Sequence, residues 1–304
     1  MQFTLRQLEY AIAVDKHGGF GAAAKACFIS QPALSAQVAQ LENSLGTQLF
    51  ERGPRGVTRT PAGENLLARA RAILLAASEL EAAAQACLEP LSGDLRIGVI
   101  PTVAPFTLPR LVPALHARHR AARVTLVEAT TEALRERLLS GELDVILVAT
   151  EADLSGCEVV EVFRDSFLVA LWRGHPLAKE EGALHLEDIP SEELLLLEEG
   201  HCLSRQVAAV CRLQEKATRT DFRASSLVTL LQMVALERGI TLLPAMARTS
   251  EIANTAGIVL RDLDAEAYRT IGLAWRPNSP RRVDFELLAK LVDEAASADV
   301  MRPT

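Results

Sequence analysis

The stretch FGAAAKACFISQPALSAQVAQLENSLG, residues Phe20–Gly46, decides the fold of the amino-terminal part of the chain. The alanines of its first half predict a short helix that can approach a second helix closely. Ser30 is a preferred N-cap residue, and Pro32 falls in the first helical turn, where its missing N–H costs nothing. Gly46 is favoured just after a helix end. Two short helices joined by such a turn form a helix-turn-helix.

The flanking residues extend this pattern on both sides. Before it, one apolar stripe predicts a preceding helix, formed by Leu5, Leu8, Ile12 and Ala13. After it, Phe50–Arg52 and Val57–Arg59 predict a two-stranded wing with the basic tip GPRG between them. An alanine-rich helical hairpin without nucleic acid is the alternative interpretation of the two helices alone, and the wing argues against it.

Polar residues begin the second helix of the pair, where a recognition helix meets the edges of the bases. Arginines of the wing can reach phosphates, contacts that position a protein on DNA without reading its sequence. The predicted DNA-binding residues are therefore Gln31, Pro32, Ser35, Gln37, Arg52 and Arg55.

A long helix is predicted after the wing, where Thr60 supplies a cap and Pro61 a favourable first residue. Its apolar residues alternate in steps of four and three for about three heptads. They are Leu66, Ala70, Ile73, Ala77, Leu80 and Ala84, here called the coiled-coil face. One helix cannot bury this face alone, so we expect a homodimer through it. Packing of the helix on its own domain is the alternative.

From Asp94 onwards, strand and helix patterns alternate, which predicts α/β lobes with largely parallel sheets. The length of this part favours two lobes with a ligand or chemistry between them. We predict a winged helix-turn-helix over 1–60, a dimerising linker helix over 61–89 and a regulatory domain over 93–304. Lobe I would take 93–164 and 268–304, and lobe II would take 165–267.

Composition narrows the class of protein further. The net charge of −7 argues against a globally basic nucleic-acid binder, although residues 1–60 carry six Lys and Arg against four Asp and Glu. There is no signal-peptide pattern and no apolar run of the roughly 18 residues that span a bilayer, so we expect a cytoplasmic protein with no membrane partner. The five cysteines lack CxxC spacing, which favours neither a disulfide framework nor a zinc site. We expect no metal and no other cofactor.

The segment EEGHCLSRQVAAVCRLQ, Glu198–Gln214, contains two cysteines. Cys202 stands at the predicted start of a helix between His201 and Arg205, and both the helix terminus and cationic neighbours favour the nucleophilic thiolate. Cys211 lies among apolar residues. On one helix the two Cα atoms would be about 13 Å apart, whereas a disulfide needs them within about 7 Å. A disulfide would therefore require the segment to refold. Two cysteines that merely pack in the core are the alternative.

The run AAAKAC…SQPALSAQVAQLENSLGTQLFER…TPAG resembles the winged helix-turn-helix signature of LysR-type regulators. The GHC…C segment is similar to the hydrogen-peroxide-sensing OxyR branch of that family. The resemblance implies an α/β effector domain of two lobes, like a type 2 periplasmic binding protein, behind an all-α winged helix-turn-helix and a linker helix. It implies a non-enzymatic activator of oxidative-stress genes, a homotetramer that binds promoter DNA and works with RNA polymerase.

The same resemblance implies roles for single residues. Cys202 would be the peroxidatic and Cys211 the resolving cysteine, and the peroxide-binding residues would be Thr102, Thr131, His201 and Arg269. Better-known members carry Arg-Asp where this chain has Ser204 and Arg205, which moves the positive charge by about 100° around a helix. Three further cysteines are expected to be structural, namely Cys27, Cys87 and Cys157.

Two rival functions remain compatible with the pattern. One is a LysR-type regulator that binds a small metabolite between its lobes, with structural cysteines. The other is a thiol peroxidase, to which a helix-turn-helix is a poor fit.

Overall fold

The computed structural model describes residues 2–53, 56–86, 89–198, 202–210, 223–251, 254–263, 267–296 and 300–301. The chain forms two compact units, Met1–Ala84 and Gln85–Thr304. Among the described residues, no helix is long and apolar enough to cross a membrane.

The first unit contains three helices, a hairpin and most of a long helix. In chain order these are α1 (Leu5–His17), α2 (Phe20–Ala26), α3 (Gln31–Leu45), β1 (Phe50–Gly53), β2 (Gly56–Arg59) and α4 (Pro61–Ala86). Strands β1 and β2 pair in antiparallel fashion, as the predicted wing requires. The helix-turn-helix and the wing are thus confirmed.

The predicted apolar stripe of α1 is only partly right. The face that packs on α2 and α3 is formed by Leu8, Ala11 and Val14, all buried. Leu5 is 47% exposed because it lies in the first turn, outside this face. The other two predicted members of the stripe, Ile12 and Ala13, are half-buried.

The predicted helix ends are confirmed by their hydrogen bonds. The Ser30 side chain accepts from the backbone N–H of Ala33 at 3.4 Å, and Gly46 has φ +69°, the left-handed conformation typical of a helix C-cap. Thr60 Oγ1 accepts from the Gly63 N–H at 2.8 Å and donates to the Gln48 carbonyl at 2.7 Å. These contacts fix the point at which α4 leaves the wing.

The second unit alternates strands and helices. Its elements are β3 (Gly93–Val99), α5 (Ala104–Arg118), β4 (Ala122–Glu128), α6 (Thr131–Leu139), β5 (Val145–Ala149), β6 (Glu158–Trp172), β7 (Leu196–Leu197), α7 (Cys202–Val210), β8 (Arg223–Ala224), α8 (Leu227–Ala235), β9 (Thr241–Pro244), β10 (Ile258–Asp262), β11 (Tyr268–Trp275) and α9 (Arg282–Ala295).

The main sheet has the order β10-β6-β11-β5-β3-β4, and β9 also pairs with β6. Strand β3 runs parallel to β4 and β5, but β11 runs antiparallel to β5 and β6, and β9 and β10 are antiparallel to β6. The expectation of largely parallel sheets is therefore wrong. The reason is that β11 inserts between β5 and β6, strands that lie far from it in sequence.

Strand β6 changes partners along its length. From Glu158 to Ser166 it pairs with β11, and from Phe167 to Trp172 it pairs with β9 and β10. One long strand thus contributes to both parts of the curled sheet of a two-lobed α/β fold. The lobe boundaries given above stay predictions.

Candidate functional site

Helix α7 begins at Cys202, as predicted for a cysteine at a helix amino terminus. Its side chain is buried, with 5% exposed, and belongs to the main apolar core of the unit. Ser204 is also buried, whereas Arg205 is exposed, so the displaced positive charge of this chain faces solvent. His201 and Cys211 lie outside the described residues.

Three side chains follow the carboxyl ends of neighbouring parallel strands. Thr102 comes after β3, Thr131 is the first residue of α6 after β4, and Glu151 comes after β5. Such ends meet at one edge of a sheet, where ligands of α/β folds bind. Thr102 and Thr131 are both buried, and within the described part of the chain the Thr131 hydroxyl oxygen has no hydrogen-bond partner.

Arg269, on β11, is a fully buried cation beside this edge. Its Nη1 donates to Thr102 Oγ1 at 2.8 Å, and its Nη2 donates to the Thr102 carbonyl at 3.0 Å. Because arginine only donates, the Thr102 hydroxyl keeps its own hydrogen for a further acceptor. The structure thus brings together two of the predicted site residues, Thr102 and Arg269.

The counterion of Arg269 is Asp165, its direct cross-strand neighbour on β6, which the sequence did not single out. Asp165 Oδ2 accepts from Arg269 Nε at 3.0 Å and Nη2 at 2.9 Å, and its Oδ1 accepts from the Met246 N–H at 3.0 Å. Burial raises the pKa of the Asp165 carboxyl, and the Arg269 charge and the Met246 N–H counteract that rise. The pair lies just before the point where β6 changes partners.

A second missed contact ties α7 to this region. Gln206, one turn after Cys202, donates through Nε2 to Glu151 Oε2 at 2.9 Å. The other oxygen of Glu151 accepts from the Thr270 N–H at 2.5 Å, next to Arg269 on β11. A hydrogen-bonded path therefore leads from the Cys202 helix to the strand that carries Arg269.

Two other cysteines can be placed. Cys27 ends α2 and packs partly buried against the core of the first unit, and Cys157 lies half-buried in the loop before β6. Burial raises the pKa of the Cys157 thiol, which disfavours its thiolate. Cys87 lies outside the described residues. Within the described ranges, no group of three or more His, Cys, Asp or Glu could hold a metal ion.

The amino-terminal unit presents the start of α3 to solvent. Gln31 and Pro32 are exposed, and Ser35 is half-buried. Gln37 is half-buried and its Oε1 accepts from Gln7 Nε2 at 3.2 Å, so part of its polar group is used within the unit. Arg52 lies on β1 in the wing, and Arg55 lies outside the described residues.

A buried carboxylate fixes the wing, a feature that the sequence did not indicate. The Asp15 side chain, on α1, is 3% exposed and accepts from Arg59 on β2 and from Arg71 on α4. The hydrogen bond to Asp15, together with the charge of that carboxylate, raises the pKa of Arg59 further above its usual value. One side chain thus holds three elements together around the base of the wing.

Replacing Asp15 by alanine should lower the free energy of unfolding of the first unit by about 1–3 kcal/mol, because two arginines lose a buried charged acceptor. It should also weaken DNA binding by loosening the wing. Thermal denaturation and a salt titration of DNA affinity measure the two effects. Glu9→Ala, which removes an exposed pair with Arg6 on the same helix, is the matched control and should change neither quantity.

Two family models match the chain. The bacterial regulatory helix-turn-helix model of the LysR family covers residues 5–64, and the LysR substrate-binding domain model covers 88–297. The regulator OxyR of Escherichia coli K12, described as a DNA-binding transcriptional dual regulator, is 40% identical over 288 residues, which is 95% of this chain and 94% of that protein. The chain belongs to the OxyR branch of the LysR family.

Solved structures of the OxyR branch agree with this assignment over nearly the whole length. A cysteine-to-aspartate variant of full-length OxyR from Pseudomonas aeruginosa has a TM-score of 0.78 at 33% identity and covers 98% of this chain and 99% of that one. A cysteine-to-serine variant of Corynebacterium glutamicum OxyR with hydrogen peroxide bound has a TM-score of 0.68 at 34% identity, with 97% and 94% covered. The LysR-type fold class predicted from the sequence is confirmed.

Proposed function

We propose that this chain is a cytoplasmic, non-enzymatic transcriptional activator of oxidative-stress genes that senses hydrogen peroxide through Cys202. The observation that most supports the proposal is the placement of Cys202. It is the first residue of α7, is buried, and is connected through Gln206 and Glu151 to the strand of Arg269. Membership of the OxyR branch supports the same function.

The chemistry takes place in two balanced steps. The Cys202 thiolate attacks one peroxide oxygen, the O–O bond breaks, and the departing hydroxide takes up a proton to leave as water. The sulfur is now a sulfenic acid. The Cys211 thiol then condenses with it, forming the disulfide and releasing a second water. Peroxide is the oxidant, and the two thiols together supply the electrons.

We propose that Thr102, Thr131, His201 and Arg269 bind the peroxide. The Thr102 hydroxyl, whose oxygen accepts from Arg269, is available to donate to a peroxide oxygen. The buried Thr131 hydroxyl has no hydrogen-bond partner among the described residues, and a bound polar molecule would satisfy it. The Arg269 cation favours the negative charge that develops on the departing oxygen.

The disulfide requires a refolded segment. Helix α7 is continuous from Cys202 to Val210, so these two residues lie about 12 Å apart along the helix axis. Cys211 follows Val210 directly, and a disulfide tolerates about 7 Å between Cα atoms. We infer that oxidation unwinds α7 and breaks the Gln206–Glu151 contact. The segment around Cys202 would then have one fold in the reduced regulatory domain and another in the oxidised one.

The amino-terminal unit binds the promoter DNA in this proposal. We propose that α3 enters the major groove with Gln31, Pro32, Ser35 and Gln37, and that Arg52 and Arg55 contact phosphates. A dimer would place two such helices about 34–36 Å apart, on half-sites one helical turn apart. Homotetramer formation and contact with RNA polymerase at the promoter complete the proposal, as the LysR family membership supports.

Dimer formation is proposed to use the coiled-coil face of α4. Of this face, Ala70 is buried within its own unit, whereas Ile73 is 42% and Leu80 73% exposed. Leu80→Glu should therefore raise the dimer dissociation constant by at least about tenfold, because it places a charge where an apolar contact forms. Sedimentation equilibrium measures this constant. Ser78→Glu, on the exposed opposite side of α4, is the control and should leave it unchanged.

The function is tested on the full-length protein before and after mild peroxide. Mass spectrometry of the Cys202 and Cys211 peptides should show a disulfide only after treatment, and the DNA footprints of the two forms should differ. Unlinked peptides and identical footprints would favour a regulator of a small metabolite. Continuous consumption of peroxide with turnover would favour a thiol peroxidase.

A further inference from the structure

The joint between α4 and β3 is unusually well anchored for a linker. Leu91 is completely buried and has φ +57°, a left-handed conformation that is uncommon for residues other than glycine. Its backbone N–H donates to Asp284 Oδ1 at 3.0 Å, in the first turn of α9. The residues between the predicted linker helix and β3 are therefore attached to the body of the second unit.

The Arg281 side chain contacts the same segment. Arg281 donates from Nε to Asp284 Oδ2 at 2.8 Å, so both carboxylate oxygens are used. The guanidinium also donates to the carbonyl oxygens of Asp94 at 2.6 Å and Ser92 at 3.4 Å. Arg281 and Asp284 are both less than one-tenth exposed.

These hydrogen bonds distinguish residues 91–94 from a flexible linker. Flexible linkers between domains are exposed to solvent and make few contacts with either domain, so the two domains can move relative to each other. Here Leu91 donates a hydrogen bond to Asp284, and the carbonyls of Ser92 and Asp94 accept from Arg281, so a buried ion pair holds this segment. A displacement of α9 and β3 would therefore also move residues 91–94, the segment that follows the linker helix in the sequence.

We propose that the Arg281–Asp284 pair couples the regulatory domain to the linker helix, so that refolding at Cys202 changes the DNA-binding end. The pair takes no part in the oxidation of Cys202. This inference rests on the proposed function and adds to it the element through which the signal leaves the regulatory domain. Coupling between distant sites requires a two-state element whose equilibrium both sites bias, and the segment that refolds at Cys202 is that element here.

The test compares full-length Asp284→Asn with the parent protein. Leu91 and Arg281 donate to different oxygens of Asp284, and asparagine replaces one of these oxygens by an NH2 group that only donates, so one of the two contacts is lost. The Cys202–Cys211 disulfide should form at a rate within about twofold of the parent, while peroxide induction of a promoter falls about tenfold, a normal size for a lost coupling. Oxidised and reduced footprints should become alike. Arg282→Gln, which removes the exposed pair of Arg282 with Glu286 on the same helix, should behave as the parent.

A second variant tests the joint without touching the ion pair. Insertion of Gly-Ser-Gly between Glu89 and Pro90 leaves the Leu91–Asp284 hydrogen bond in place, and it should also lower induction about tenfold with a normal disulfide. If Asp284→Asn fails to fold, the insertion variant alone tests the inference. Normal induction in the folded variants would overturn the inference. A parent protein that forms no disulfide would instead overturn the proposed function, and the inference with it.

Discussion

Replacing Cys202 by serine is expected to abolish the peroxide response of the full-length protein. A hydroxyl is not ionised at neutral pH and cannot form a sulfenic acid, so no oxidised intermediate is available to Cys211. We expect peroxide-dependent induction to fall below about 1% of the parent value, since the activated nucleophile itself is lost. The reduced-state footprint should persist, because α7 retains a residue of nearly the same size at its first position.

The control for this variant is Cys157→Ser. Cys157 is a half-buried thiol whose pKa is raised by burial, and it lies in a loop outside α7. Its replacement should leave induction unchanged. A Cys202→Ser protein that still responds to peroxide would show that the signal enters elsewhere, and the metabolite-binding alternative would then explain the fold better.

Replacing Asp165 by alanine is expected to be the most destabilising single change in the candidate site. Arg269 is fully buried and would lose its counterion, and removing one partner of such a pair costs about 3–5 kcal/mol. That loss is a large part of the 5–15 kcal/mol by which a typical domain is stable. The reaction of Cys202 with peroxide should also slow, because Arg269 would no longer be held against Thr102.

Tryptophan fluorescence isolates this effect, because both tryptophans, Trp172 and Trp275, lie in the second unit. Urea denaturation followed by fluorescence therefore gives the unfolding of the regulatory domain alone. Asp94→Ala is the control, since Asp94 forms an exposed ion pair with Arg123 and its loss should cost far less. Equal effects of the two substitutions would contradict the assigned role of Asp165.

The site was only partly accessible to sequence reasoning. Thr102, Arg269 and Cys202 were found through the resemblance to the family, whereas Asp165 and Glu151 were not. Asp165 carried one signal, since it is an acidic residue within the apolar run VFRDSFLVALW. Its partner Arg269 is 104 positions away in the sequence, and only the pairing of β6 with β11 brings the two residues together.

The sequence by itself determined the local structure of the amino-terminal unit and the start of α7. Ser30, Gly46 and Thr60 act through hydrogen bonds to residues a few positions away, so their roles can be read from neighbouring letters. The direction of β11 and the attachment of Leu91 to Asp284 were decided only by the tertiary structure. Both depend on which distant strands and helices pack together, and the free energy of that packing is a property of the whole unit rather than of any short segment.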